Sequence, residues 1–247
     1  MAFLLTLEPL VIATLALAAF LLGAAKTSFP TATIIVVPIV ALVLDSRAAA
    51  GILLPVYVVG DIVAIALYHR ESEPSKVLRL LPWAAAGIAL AVFFGARVDE
   101  TTFQRVLGVL VLMTVVMTVV IRLGAESPVP RWLAPPIGII AGFTTMIGNA
   151  AGPIMTIYLL AMGLTTRSFV GTAAILFGVL NLAKIPLHLF VWQSFPLNGL
   201  LVSLLVLPIA LLGTWTGATL LRRVSPRLFR LVMLSTAAIA GLRLLLG

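Results

Sequence analysis

The sequence predicts an all-α polytopic membrane protein. It is expected as two inverted-topology repeats of about five helical segments each, with short broken or re-entrant helices at the centre. Three observations carry this. Hydrophobic residues make up 62% of the 247 and charged residues only 10%, at a mean hydropathy of +1.23. The apolar residues form continuous runs, not the alternating segments of roughly ten residues that a membrane barrel needs. Finally, the two halves repeat each other's Pro, Gly and Arg positions.

Composition excludes whole classes of function. A soluble domain carries roughly 25% charged residues, and 16 basic plus 8 acidic side chains are too few to solvate a fold of this length. With spans of about 20 residues, the chain allows on the order of eight to ten crossings and leaves almost nothing for an extramembrane domain. A soluble enzyme, a nucleic-acid-binding domain and a disordered regulator are thereby set aside. The net charge of +8 is read as a set of helix-orienting signals, not as a nucleic-acid footprint. There is no cysteine, the two histidines are His69 and His188, and no metal-ligand spacing occurs, so neither cofactor nor metal is expected. The opening MAFLLTLEPL lacks a basic stretch and a small-residue cleavage site, and reads as a retained first helix.

In chain order the apolar runs lie at 4–25, 30–44, 48–68, 78–96, 103–121, 132–147, 150–163, 168–192, 197–221 and 227–246. Runs 30–44, 132–147 and 150–163 are too short to span untilted, as expected for broken or re-entrant helices. Pro55, Pro82, Pro186 and Pro208 are expected to kink their helices.

An offset of 120 lays Arg47, Gly51 and Asp61 on Arg167, Gly171 and Asn181. An offset of 126 lays Leu81, Pro82, Ala84, Gly87, Arg97, Val98 and Phe103 on Leu207, Pro208, Ala210, Gly213, Arg223, Val224 and Phe229. The first repeat is accordingly 1–125 and the second 126–247, within one integral membrane domain. Two sequential copies with an odd number of segments must enter the membrane from opposite sides. Basic residues gather after odd-numbered segments: Lys26; Arg70, Lys76 and Arg79; Arg122 and Arg131; Arg167; Arg222, Arg223, Arg227 and Arg230. The positive-inside rule then places the 69–79 and 222–230 loops in the cytoplasm and both termini on the periplasmic side.

Three features could carry chemistry. Gly23-Ala24-Ala25-Lys26-Thr27-Ser28-Phe29-Pro30 breaks the first apolar run, and Pro30 suits the first turn of a new helix capped by Ser28 or Thr27. Its counterpart runs from Gly142 through Thr144, Thr145, Gly148 and Asn149 to Pro153. Two helix starts meeting at mid-membrane, with Lys26 beside them, would make an anion site. Asp61 is the clearest acid at membrane depth. An ionised carboxylate there costs about 2.5–3.5 kcal/mol on insertion scales, so it should face a cavity or a cation, either as a proton carrier or as a structural partner of Lys26 or Lys184. Asn181, Lys184 and His188 share one helix face, and Lys184 lies too deep to reach water by snorkelling. Arg47 and Arg167 sit at equivalent short turns and read as helix-end anchors. His188 reads as a packing residue.

The stretches GAAKTSFPT and VVPIVAL, then AGFTTMIGNAAGPIM, RSFVGT and FGVLN, resemble the TauE/SafE family of sulfite exporters, over essentially the whole chain. The first break departs from the family's pattern, being less glycine-rich. The resemblance implies a secondary transporter, not an enzyme, that exports a small sulfur oxyanion such as sulfite or an organosulfonate across a bacterial inner membrane. Where its motifs match, it marks Lys26, Thr27, Ser28, Thr144, Thr145, Gly148 and Asn149 as the substrate region. Lys184 is added from its depth, with Asp61 as the proton-coupling candidate. The expected partners are that anion and the lipid bilayer. Oligomeric state stays open, a homodimer among the options. A passive anion channel is the first alternative and a membrane-embedded hydrolase a weaker one.

Overall fold

A computed structural model describes residues 8–28, 30–120, 133–160, 162, 164–194, 197–219 and 226–247. Every regular element among these residues is helical. The helices are α1 (Pro9–Thr27), a 3₁₀ segment (Pro30–Ile35) leading into α2 (Val36–Val40), α3 (Ser46–Tyr68), the single turn α4 (Ser75–Leu78), α5 (Leu81–Gly95), α6 (Glu100–Val120), α7 (Ala134–Gly148), α8 (Gly152–Leu160), α9 (Thr166–Pro186), α10 (Leu197–Thr219) and α11 (Pro226–Leu246). Among the described residues, five stretches are long and apolar enough to cross a membrane: Pro9–Thr27, Ser46–Glu71, Glu100–Val120, Arg167–Val191 and Gly199–Gly217. Leu81–Gly95, Ala134–Gly148 and Leu234–Leu246 are shorter apolar helices. The boundary expected at 125/126 and the basic residues Arg122, Arg131, Arg222 and Arg223 lie outside the described residues.

Pro55 and Pro208 lie inside α3 and α10. Pro186 ends the α-helical part of α9, and the chain continues through Leu187–Val191 as a π-helix. Pro82 is a correction to the expected kinks. It occupies the first turn of α5, where a missing N–H has no helical partner to lose.

Helix packing follows a reciprocal pattern. α1 lies along α10, and α7 lies along α5; α3 packs on α9, and α6 on α11. Small residues set the closest approaches, as expected where lipid supplies no hydrophobic drive for association. A Cβ at Gly23 would overlap the Ala210 carbonyl, and one at Gly213 the Phe20 carbonyl. On the other pair, a Cβ at Gly142 would overlap the Ala84 carbonyl, and one at Gly87 the Ile139 carbonyl. One contact breaks the pattern. α10 packs closely along α3, whereas α5 stands off α9, leaving an apolar groove of about 650 Å³ between Leu81, Ile88 and Phe93 on one side and Val179, Ala183 and Val191 on the other.

Candidate functional site

The deepest polar residues converge where α1, α3, α7 and α9 meet. α1 runs unbroken to Thr27, which carries Lys26 in its last turn, 5% exposed. Asp61 lies in the second half of α3, fully buried, and forms an ion pair with Lys26. The Lys26 ammonium also stands over the rings of Tyr57 and Phe177, 5.2 and 5.4 Å from their centroids. From α9, Asn181 donates its Nδ2 hydrogen to Asp61 Oδ2 at 2.7 Å. Asp61 thus receives a cation and an amide from opposite sides, which is what makes a carboxylate tolerable at this depth.

Lys184, one turn beyond Asn181, is also fully buried. Its ammonium donates to the Thr145 carbonyl (2.9 Å), Thr145 Oγ1 (3.2 Å) and Asn149 Oδ1 (2.5 Å). Three acceptors match the three hydrogens of an ammonium. None of them is charged, and among the described residues Lys184 forms no ion pair. Asn149 is delivered to this position by the end of α7. It adopts a left-handed conformation (φ 53°, ψ 30°), which asparagine tolerates better than most residues, and closes the helix.

Between these groups lies a cavity of about 10 Å³, room for a single water. Lys26, Thr33, Tyr57, Asp61, Thr145 and Asn149 line it, with Asn181 and an apolar strip of α9 completing the wall. Of the residues expected at the site, Lys26, Asp61, Thr145 and Asn149 reach this cavity, and Lys184 sits behind it, bonded to two of them. Four others are placed elsewhere. Thr27 Oγ1 donates to the Thr214 carbonyl on α10, and Ser28 Oγ to the Ala24 carbonyl of its own helix. Both lie at the end of α1; Thr27 serves a neighbouring helix and Ser28 its own, and neither bond caps a following helix. Thr144 Oγ1 bonds back to Ile140 and Ala141, while Gly148 faces Leu107 on α6. The cavity is lined in part from the ends of α1 and α7, and among the described residues none of α8 lines it.

Sequence reasoning missed Thr33, Tyr57 and the α9 wall of Val170, Ala173, Ala174 and Phe177. A signal was available: 170, 173, 177, 181, 184 and 188 recur every three or four residues on one face of α9, and Tyr57 stands one turn before Asp61 on α3.

Arg47 and Arg167 make polar ties at helix ends. Arg47 bonds Glu100 Oε2 (2.9 Å) and the Gly95 and Val98 carbonyls (2.9 and 2.6 Å), with its guanidinium 4.6 Å from the Phe103 ring. Phe103 in turn meets Trp192 edge-on, and Trp192 meets His188. His188 is buried, with Nδ1 2.8 Å from Ser194 Oγ. Arg167 reaches Glu71 at 3.4 Å, with both side chains exposed.

A helical bundle with several apolar spans, broken helices and a small charged cavity walled in at its centre is the architecture of a polytopic membrane transporter. The family model described as sulfite exporter TauE/SafE matches residues 15–244, and the chain belongs to that family. It is therefore a multi-pass membrane permease of the sulfite-exporter kind. Among curated proteins and among solved structures, none matches the chain.

Proposed function

We propose that the protein is a secondary transporter that exports a small sulfur-containing anion, sulfite or an organosulfonate, across a bacterial inner membrane. The anion is bound between Lys26 and Lys184 and moved by alternating access. The observation that carries this reading is the charge balance at the cavity: two buried ammonium groups against one carboxylate. A buried surplus cation is costly unless an anion joins it. Asp61, held by Lys26 and Asn181, is the group through which protons would couple to transport. Export of an anion from a negative-inside cell is already favoured by about 2.3 kcal/mol per charge per 100 mV, so coupling adds control of rate and direction, not the whole driving force.

Residues 1–125 and 126–247 are read as the two inverted repeats, with both termini periplasmic. The reciprocal packing of α1 on α10 and α7 on α5 supports this. So does the pairing of Asp61 with Asn181, which the repeat makes equivalent. The unequal contacts, α3 closed on α10 but α5 held off α9, fit a carrier whose halves adopt different conformations in turn. The cavity is too small for an oxyanion without movement of a wall, which favours a carrier over an open channel.

The test is a thermal-shift panel of the purified protein with sulfite, thiosulfate, sulfoacetate, sulfate and chloride, repeated on Lys26→Ala and Lys184→Ala. A shift for the sulfur anions that disappears in Lys184→Ala is expected. Equal shifts in wild type and both variants would remove the cavity from the reading.

A further inference from the structure

Asn181 is 1% exposed and lines the cavity. Its Nδ2 is used on Asp61, but its Oδ1 has no hydrogen-bond partner, the one such buried side-chain atom among the described residues. The orientation of the amide is set by its neighbour: flipped, it would turn an acceptor toward the Asp61 oxygen that Nδ2 now serves. An unpaired buried amide oxygen costs about 1–3 kcal/mol, and on a cavity wall it is open to a donor on whatever occupies the cavity.

Three of the polar groups around the cavity are engaged elsewhere. Lys26 donates to Asp61. The three donors of Lys184 are placed on Thr145 and Asn149. The Tyr57 hydroxyl donates to the Thr33 carbonyl at 3.2 Å. These are the titratable groups facing Asn181 from α1, from α3 and from its own helix. An oxyanion with no hydrogen of its own would leave Oδ1 unpaired and bring a further acceptor beside it. The charge balance points the same way. Lys26 and Lys184 against Asp61 leave one net positive charge, which one anionic charge neutralises and two would overshoot in a medium that punishes the excess.

Resting on the cavity as the anion site, we infer that the species carried is a singly charged oxyanion bearing its own hydrogen-bond donor, which it places on Asn181 Oδ1. Within the sulfur oxyanions this selects a protonated monoanion over the dianion. It likewise selects a hydroxyalkanesulfonate over a plain alkanesulfonate. Asn181 is then the specificity-determining residue, while the two lysines supply the charge.

The inference is tested at one fixed pH, so that every anion meets the same starting protein. Ethanesulfonate, hydroxyethanesulfonate and sulfate are titrated against the full-length protein in detergent, followed by thermal shift. Hydroxyethanesulfonate is expected to bind about tenfold tighter than ethanesulfonate, the worth of one good hydrogen bond, and sulfate more weakly than hydroxyethanesulfonate. In Asn181→Ala the ratio of the two sulfonates should fall to about one. Asn181→Ser, which keeps a short hydroxyl but withdraws the acceptor from its position, serves where the alanine variant does not fold. Equal binding of the two sulfonates by the wild type, as expected if a resident water satisfies Oδ1, overturns the inference and leaves the anion site standing. Tighter binding of sulfate does the same, as does a preference that survives both variants. No shift with any of these anions, nor with sulfite, removes the anion site itself and the inference with it.

Discussion

Asn181 and Asp61 stand 120 positions apart in the chain and share a hydrogen bond of 2.7 Å at the contact between α3 and α9. That separation is the same 120-position offset at which the sequence lays Asp61 on Asn181. On the reading of the two halves as inverted repeats, these are equivalent positions that differ: Asp61 is a carboxylate, and Asn181 an amide that donates to it.

The Lys26–Asp61 pair should be strongly coupled. Asp61→Leu alone leaves a buried ammonium without its counter-charge, and a loss of about 3–5 kcal/mol is expected. Lys26→Met with Asp61→Leu should recover much of that loss. Thermal or denaturant melting of the two single variants and the double variant in detergent reads the coupling. Additive losses would show that the two residues do not act as a pair.

Lys184→Met separates binding from folding. Its loss leaves Asn149 and Thr145 acceptors unpaired but strands no opposite charge, so the destabilisation should be smaller than for Asp61→Leu, on the order of 1–3 kcal/mol. Anion-dependent stabilisation should vanish. Flux of sulfite into proteoliposomes, measured beside the melting curve, distinguishes a folded but inactive variant from an unfolded one.

Glycines can be sorted by what a side chain would meet. Gly23→Leu and Gly142→Leu each drive a side chain into a carbonyl of the neighbouring helix, and overpacking of at least about 1–3 kcal/mol is expected. Gly178→Ala is the control. Its Cβ would rest at ordinary contact distance from Ile65 Cδ1 (3.5 Å) and Asp61 Cβ (3.6 Å), inside α9. Alanine should there raise stability by roughly 0.5–1 kcal/mol, read as a shift in melting temperature.

Arg47 and Arg167 should behave unequally. Arg47 is partly buried, with three bonds at 2.6–2.9 Å and an aromatic face; Arg167 has one exposed contact at 3.4 Å. Arg47→Ala should cost about 1–3 kcal/mol, since it also strands the Gly95 and Val98 carbonyls. Arg167→Ala should stay within about 0.5 kcal/mol. Comparing their melting curves checks this, and equal losses would contradict it.

Much of the architecture was legible in the chain itself. Continuous apolar runs place α3, α6 and α9 close to where they form, because burial in a bilayer demands length and hydrophobicity and little else. Lys26, Asp61 and Lys184 stood out for a related reason: a charge in an apolar run is expensive enough to need an explanation. What the sequence could not determine was which polar groups answer those charges. Thr27, Ser28, Thr144 and Gly148 look equivalent to Thr145 and Asn149 when read along the chain. Only helix rotation decides that Thr145 and Asn149 meet Lys184, while Thr27 turns to Thr214. Rotation is set by the packing of Gly23 and Gly142 on Ala210 and Ala84, contacts between residues far apart in sequence. Hydrophobicity is a property of each residue and survives in the sequence. Facing is a property of pairs of helices, and only the tertiary structure decides it.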